Sequence, residues 1–309
     1  MELKEYYEFP EGTNVKMNFI PHWLLDKPNF PCLSNMSYTF INYGGEFIVS
    51  LDVSNVTNMD YMFQNCNNLI LIDGIKDWDV SKVTTMNSMF YNCKNLTSID
   101  SSNWDTSGVT TMSNMFYGCE KLTSIDLSNW DTSGVTTMNS MFYNCKNLTS
   151  IDGIKDWDTS KVTNMGNMFY NCENLTSIDL SGCNTSGVTT MDGMFNGCKN
   201  LTSVSSIRAD KISISTYSSP FGTSNNTVLT DFGGFINLKN SWNGNHCVNK
   251  LTVLSHQSLI NILNGLYDFT GNNQTPTSSQ GKIKFGSTHL ATLSDDEKAI
   301  ATNKGWTLS

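Results

Sequence analysis

The chain has 309 residues, 39% of them hydrophobic and 15% charged, with a net charge of −9 and an isoelectric point near 4.8. That acidity argues against nucleic acid or an anionic membrane surface as a partner, since both need clustered Lys and Arg. No segment approaches the roughly 20 apolar residues of a membrane span, so membrane insertion is not expected. Met1-Glu-Leu-Lys-Glu-Tyr-Tyr is not a basic-then-apolar signal peptide, so no export leader is visible in this chain.

Residues 1–47 are irregular, with Pro10, Pro21, Pro28 and Pro31 among aromatics such as Trp23, Phe30 and Tyr38. A non-repeating apolar lead-in of this kind reads as an N-terminal cap covering the first coil of a stack. Residues 48–206 form an array of units of 23–27 residues. Met-Phe recurs at Met62-Phe63, Met89-Phe90, Met115-Phe116, Met141-Phe142, Met168-Phe169 and Met194-Phe195, and a cysteine follows each Phe three residues later: Cys66, Cys93, Cys119, Cys145, Cys172, Cys198. A fixed period of this size marks a solenoid, in which each unit buries its apolar face only by stacking on its neighbours.

The unit from Val109 to Trp130 shows the pattern most cleanly. Val109, Met112, Met115, Phe116 and Cys119 have the spacing of one or two helical turns, partly 3-10. Thr106-Ser107-Gly108 would cap that start. Leu122-Thr-Ser-Ile125-Asp-Leu127-Ser-Asn-Trp130 then matches the leucine-rich-repeat template, which places a short parallel strand on the concave side and points the Trp130 slot inward. The sequence thus predicts an α/β solenoid: a right-handed leucine-rich-repeat superhelix, strands on the concave face, short helices or 3-10 turns on the convex face. Ile48-Val-Ser-Leu51-Asp-Val53 reads as a short first unit lacking the Trp-Asp-Thr-Ser-Gly insert, which would set Asp52 in register with Asp126. Residues 207–309 read as degenerate repeats and a C-terminal cap. In them 207–227 is loop, Leu229–Phe232, Leu251–Leu254 and Lys282–Phe285 are strands, Ser255 caps one helix, and Ser294-Asp-Asp-Glu297 is the capping box of another.

Nine cysteines could suggest disulfides. Six at one register fit better as free thiols packed as small hydrophobes, and without a C-x-x-C no metal site or cofactor is expected.

In a stacked solenoid each repeat position becomes a row with rungs about 5 Å apart. An acidic row, Asp52, Asp73, Asp100, Asp126, Asp152 and Asp179, lies beside a serine row, Ser50, Ser98, Ser124, Ser150, Ser177 and Ser203. Neighbouring unit charges at that spacing repel by about 0.8 kcal/mol in water, so the face needs compensation. It is a hydrogen-bonded solvated strand face, a ligand-binding face built from Asp73, Ser98, Asp100, Ser124, Asp126, Ser150, Asp152, Ser177 and Asp179, or a calcium ladder. Calcium is the weakest of these because it needs six or more oxygens per ion. Asp79, Asp105, Asp131 and Asp158, each after a Trp, read as Asx-turns. Trp78, Trp104, Trp130 and Trp157 read as core. Tyr91, Tyr117, Tyr143 and Tyr170 read as a partly exposed row that packs between turns or grips a glycan.

The string V-T-x-M-x-x-M-F-x-x-C-x-x-L-T-S-I-D-x-S-x-W-D-T-S resembles the bacterial BspA-like leucine-rich-repeat family of surface proteins over roughly residues 48–206. The resemblance implies a curved solenoid with a cell-surface or adhesive role and names no ligand. Leu251 to Trp306 also resembles C-terminal pieces of repeat proteins from gut bacteria and their phages. His22, His246, His256 and His289 all lie outside the array, and no nucleophile elbow, phosphate loop or metalloprotease motif occurs. The expected function is a non-catalytic recognition or adhesion module that meets a protein or glycan on a host or neighbouring cell through the Ser/Asp face, at the cell surface or outside the cell. The alternatives are a structural or host-recognition component of a phage virion, and a glycan-binding protein using the tyrosines.

Overall fold

The computed structural model describes residues 34–48, 51–212, 220–221, 228–238, 251, 253–277 and 280–309. Strands are β1 (Phe47–Ile48), β2 (Leu71–Ile72), β3 (Ser124–Asp126), β4 (Ser150–Asp152), β5 (Ser177–Ile178), β6 (Ser203–Val204), β7 (Ile207–Arg208), β8 (Asp231–Phe232), β9 (Phe235–Ile236), β10 (Lys282–Ile283) and β11 (Thr307–Leu308). Every named pair is parallel: β1 with β2, β3 with β4, β5 with β6, β6 with β8, β7 with β9, and β10 with β11. Parallel pairing of successive units at a constant offset is what stacked coils require, since each coil returns the chain to the same place one strand spacing further on.

The conspicuous letters of the repeat are the interior. Met112, Met115, Phe116, Cys119 and Leu122 have no exposed surface. Phe40, Phe63, Phe90, Phe116, Phe142, Phe169 and Phe195 stack in one column with centroids 5.3 to 5.8 Å apart. The Sγ of each cysteine that follows Met-Phe reaches the backbone carbonyl of a Phe in the preceding coil, as in Cys119 to Phe90 at 3.2 Å and Cys145 to Phe116 at 3.1 Å. Burial pushes the thiols of Cys93, Cys145 and Cys172 far above their ordinary pKa, and all the described cysteines are free.

The segment around Met-Phe is not the helix that its apolar spacing predicts. It is a run of turns in which alternate N–H groups leave the coil. Met86, Ser88, Phe90 and Asn92 donate to the carbonyls of Thr111, Ser113, Met115 and Tyr117 in the next coil at 3.2, 2.8, 2.9 and 2.6 Å, while Met89 and Tyr91 donate back to Met86 and Ser88. Left-handed residues four apart, such as Ser88 with Asn92 and Asn114 with Gly118, re-aim the backbone and stop any α-helix. Asn, Ser and Gly hold most of these places. With these N–H groups already satisfied, alternately by the neighbouring coil and within their own, the helical alternative offers nothing further. Thr106 likewise caps no helix; it is buried, and its Oγ1 donates to the Asp131 carbonyl at 2.9 Å. The 3-10 turns that do form in the array, Ile75–Asp77, Ile154–Asp156 and Thr185–Gly187, come after the strand, two of them entered through Gly74 and Gly153 at positive φ.

The short first unit is also aligned differently from the sequence expectation. Phe47 pairs with Leu71 and Ile48 with Ile72, so Ile48 holds the inward strand position. Asp52 then falls with Asp79: its Oδ1 accepts from the backbone N–H of Ser54, as that of Asp79 does from Ser81. The shortening therefore lies between Ile48 and Asp52, and Asp52 belongs to the turn row rather than the strand row. Stacking reaches back to Asn35, which bridges Asn58, inside the segment expected to be a cap.

Beyond the array, β7 forms within the stretch expected to be loop, while 213–219 and 222–227 lie outside the described residues. Helix α1 (His256–Asn264) starts at Ser255, whose side chain accepts from the Ser258 N–H, and α3 (Asp295–Asn303) opens on the predicted Ser294–Glu297 capping box. Between them lies α2 (Gly286–Thr292), which the sequence pattern does not predict. Lys304 ties the end of α3 to that of α1 by donating to the carbonyls of Asn264 and Leu266 at 2.7 and 3.2 Å. No helix among the described residues is long and apolar enough to cross a membrane.

Candidate functional site

On the strand face, in-register pairing sets Ser124 beside Ser150 and Asp126 beside Asp152, with Ile125 and Ile151 turned inward between them. Ser177 pairs with Ser203, and Ser203 with Asp231, extending the row in the next sheet. Ser98 and Asp100 hold the same register but lie outside any named strand. Asp73, Ser98, Asp100, Ser124, Asp126, Ser150, Asp152, Ser177 and Asp179 are all exposed, and Ser50 lies outside the described residues. No described residue hydrogen-bonds the hydroxyls of Ser98, Ser124, Ser150 or Ser177, whereas the Ser203 hydroxyl reaches Asp231 at 3.3 Å.

The aspartates fall into two kinds. Asp100 accepts from the Ser102 N–H and hydroxyl at 3.2 and 2.7 Å, Asp126 from the Ser128 N–H at 2.9 Å, and Asp179 from the Ser181 N–H at 2.9 Å. These bonds hold the three carboxyls below their usual range, helped by Lys76 near Asp100 and by Ser205 and Lys155 near Asp179. Asp73 and Asp152 precede Gly74 and Gly153, so no serine two residues on closes a turn upon them, and no described residue hydrogen-bonds either carboxylate. The compensation shown is for Asp100, Asp126 and Asp179: it comes from their Asx-turns and, at Asp100 and Asp179, also from the lysines of the two Gly-Ile-Lys-Asp units.

The other rows are structural. Asp79, Asp105, Asp131 and Asp158 accept from Ser81, Ser107, Ser133 and Ser160 N–H groups at 2.9 to 3.1 Å, the predicted Asx-turns. Trp78, Trp104, Trp130 and Trp157 are buried. Tyr91, Tyr117, Tyr143 and Tyr170 lie half-buried with rings stacked 4.4 to 4.6 Å apart and nearly parallel. Their faces cover one another, so the row offers ring edges and hydroxyls rather than a sugar-stacking platform. Burial and the flanking tyrosines push Tyr117 up to about 12, which keeps its hydroxyl a neutral donor. No group of three or more His, Cys, Asp or Glu among the described residues is placed to hold a metal ion. His289 is buried against the Leu251 carbonyl, and His256 pairs with Glu297 at 2.8 Å.

Parallel coils, an inward Met/Phe/Cys/Leu/Trp core and an exposed Ser/Asp strand row together define a repeat-solenoid protein. A family model described as "Mycoplasma protein of unknown function, DUF285" matches residues 33–150 and 121–231, which is more than half of the chain. The chain belongs to that family, and its recognition as a BspA-like leucine-rich-repeat protein stands on the same repeat string. No curated protein matches it. Among solved structures it is similar to a leucine-rich repeat protein from Bacteroides ovatus ATCC 8483, at 17% identity and a TM-score of 0.20, the match covering 63% of this chain and 59% of that one. The match thus spans less than two thirds of that protein's length.

Proposed function

We propose that the chain is a non-catalytic recognition module that binds a protein or glycan through the Ser/Asp strand face, at the surface of a cell or outside it. The observation that carries this reading is the row of exposed serine hydroxyls at Ser98, Ser124, Ser150 and Ser177 that no described residue satisfies. The other polar rows largely turn their hydrogen bonds inward on the coil. The thiols reach Phe carbonyls, the Thr hydroxyls of Thr84, Thr110 and Thr136 donate to the carbonyl of the Thr one coil back, and the turn aspartates bond serine N–H groups. Polar groups left facing water at fixed spacing can exchange their water for a ligand at little cost in protein reorganisation. The strand face is also chemically repetitive, which suits binding along an extended surface better than catalysis, where one distinctive environment must tune one group.

The test is binding of the intact chain to whole host cells, compared with a variant carrying Asp100→Ala, Asp126→Ala and Asp152→Ala. Binding should be lost in that variant. A second variant with the same three positions as Asn keeps the Oδ1 acceptors of the turns and separates loss of charge from loss of local structure. Unchanged binding by both variants, with the fold intact by circular dichroism, overturns the strand-face reading.

A further inference from the structure

The residue after each interior cysteine forms a column that reads Asn67, Lys94, Glu120, Lys146, Glu173, Lys199. Backbone bonds fix these as consecutive rungs: Lys121, Asn147, Asn174 and Asn200 N–H groups donate to the carbonyls of Lys94, Glu120, Lys146 and Glu173 at 3.2, 3.3, 3.1 and 3.2 Å. Lys146 Nζ lies 2.9 Å from Glu120 and Lys199 Nζ 2.8 Å from Glu173. The Lys146 ammonium is pushed up by its bond to Glu120 and by the charge of Glu173 on its other side.

The interior offers no comparable alternation. Met, Phe, Cys and Leu recur in every coil, and Val83 to Asp100 repeats letter for letter as Val135 to Asp152. A chain that loops out one coil would therefore regain nearly the same buried contacts two coils further on. In the column after the cysteines such a skip sets like charge on like, Lys94 against Lys146 or Glu120 against Glu173.

We propose that the alternating Lys/Glu column is a registry device, which disfavours stacks that omit a single coil from an array whose buried Met, Phe, Cys and Leu recur in every coil. The discrimination comes from the sign pattern and not from the strength of any one pair, since exposed ion pairs are individually weak.

The experiment measures urea unfolding at low salt for Lys94→Glu in two backgrounds: the full chain, and a chain lacking residues 105–130, in which Trp104 joins Asp131 and Lys94 meets Lys146. In the full chain the substitution sets a carboxylate against Glu120, and the folding equilibrium should fall about two- to fivefold. In the shortened chain the same carboxylate faces Lys146, and the equilibrium should rise by a similar factor. Both effects should vanish near 1 M salt, where charges are screened within about 3 Å. The same sign in both backgrounds, or an effect that ignores salt, overturns the proposal. Should the shortened chain not fold, two full-length variants decide. One inverts all five charges; the other carries Glu120→Lys and Glu173→Lys. The inverted column should refold with the parent's yield and the all-Lys column with a several-fold lower, salt-restored yield. Equal yields for the two overturn the proposal.

Discussion

Removing the hydroxyl of Ser101 should cost stability out of proportion to its size. Trp130 and Ser101 are both buried, and the indole Nε1 donates to Ser101 Oγ at 3.0 Å. The same slot is served differently in other coils. Trp104 Nε1 donates to the Ile75 carbonyl at 2.8 Å, and Cys183 reaches the equivalent Ile154 carbonyl at 3.2 Å. Trp157 Nε1 has no partner among the described residues, because Leu127 stands in the preceding coil where Ser101 serves Trp130. Trp78 Nε1 likewise has no partner among the described residues. Leaving a buried donor unsatisfied costs about 1–3 kcal/mol, whereas the net worth of the bond itself is about 0.5–1.5 kcal/mol. Ser101→Ala should therefore destabilise the chain by about 1–3 kcal/mol in urea unfolding followed by circular dichroism. A double-mutant cycle with Trp130→Phe should return a coupling of about 0.5–1.5 kcal/mol, because the second change removes the orphaned donor. A coupling indistinguishable from zero would refute the assignment of Ser101 as the partner that makes Trp130 tolerable in the core.

Other outcomes follow from the same columns. Phe116→Ala opens a gap in the stacked phenyl column and should cost about 3–5 kcal/mol, read from the urea midpoint; a loss under about 1 kcal/mol would mean that the coils do not depend on the column. Gly118 sits at φ +73 beside the Asn92 side chain, in the register where Asn144 and Asn171 also adopt positive φ. Gly118→Asn should be neutral or stabilising by up to about 1 kcal/mol, while Gly118→Val should destabilise by more than about 1 kcal/mol; similar values for both would refute the left-handed requirement. The carboxyls of Asp79, Asp100, Asp131, Asp158 and Asp179 are held below their ordinary range, first by serine hydrogen bonds. Their contribution is present above about pH 4 and is lost as pH falls through the folded values, so the urea midpoint should drop below about pH 4. A midpoint that holds steady down to about pH 2.5 would show that the turns do not depend on the charged form.

Much of this was legible in the letters. Met115, Phe116, Cys119 and Trp130 recur at one register, and only interior positions of a stack repeat apolar residues so strictly, so burial and coil number followed from the period. The Asx-turns were legible because Asp followed two residues later by Ser closes a turn locally, without help from another coil. The Met-Phe segment was not, because its spacing suits helix and stacked turn alike. What decides between them is whether a second coil lies within reach of the N–H groups of Met86, Ser88, Phe90 and Asn92. The Lys/Glu column was visible as alternating signs at a fixed register, yet its meaning needed the rung order.

The repeat string by itself determined a parallel stack with a Met/Phe/Cys/Trp interior and a Ser/Asp row on its strands, because period and hydrophobic pattern are properties of one coil multiplied. Only the tertiary structure decided what depends on two coils at once. It set the short unit's register through Ile48 and Ile72, moved Asp52 to the turn row, and turned each Tyr face against the next. It also separated the hydroxyls spent on holding neighbours from those of Ser98, Ser124, Ser150 and Ser177, left facing water. Such pairings join residues about 26 positions apart, and their partners are fixed by coil length and side-chain reach rather than by local spacing.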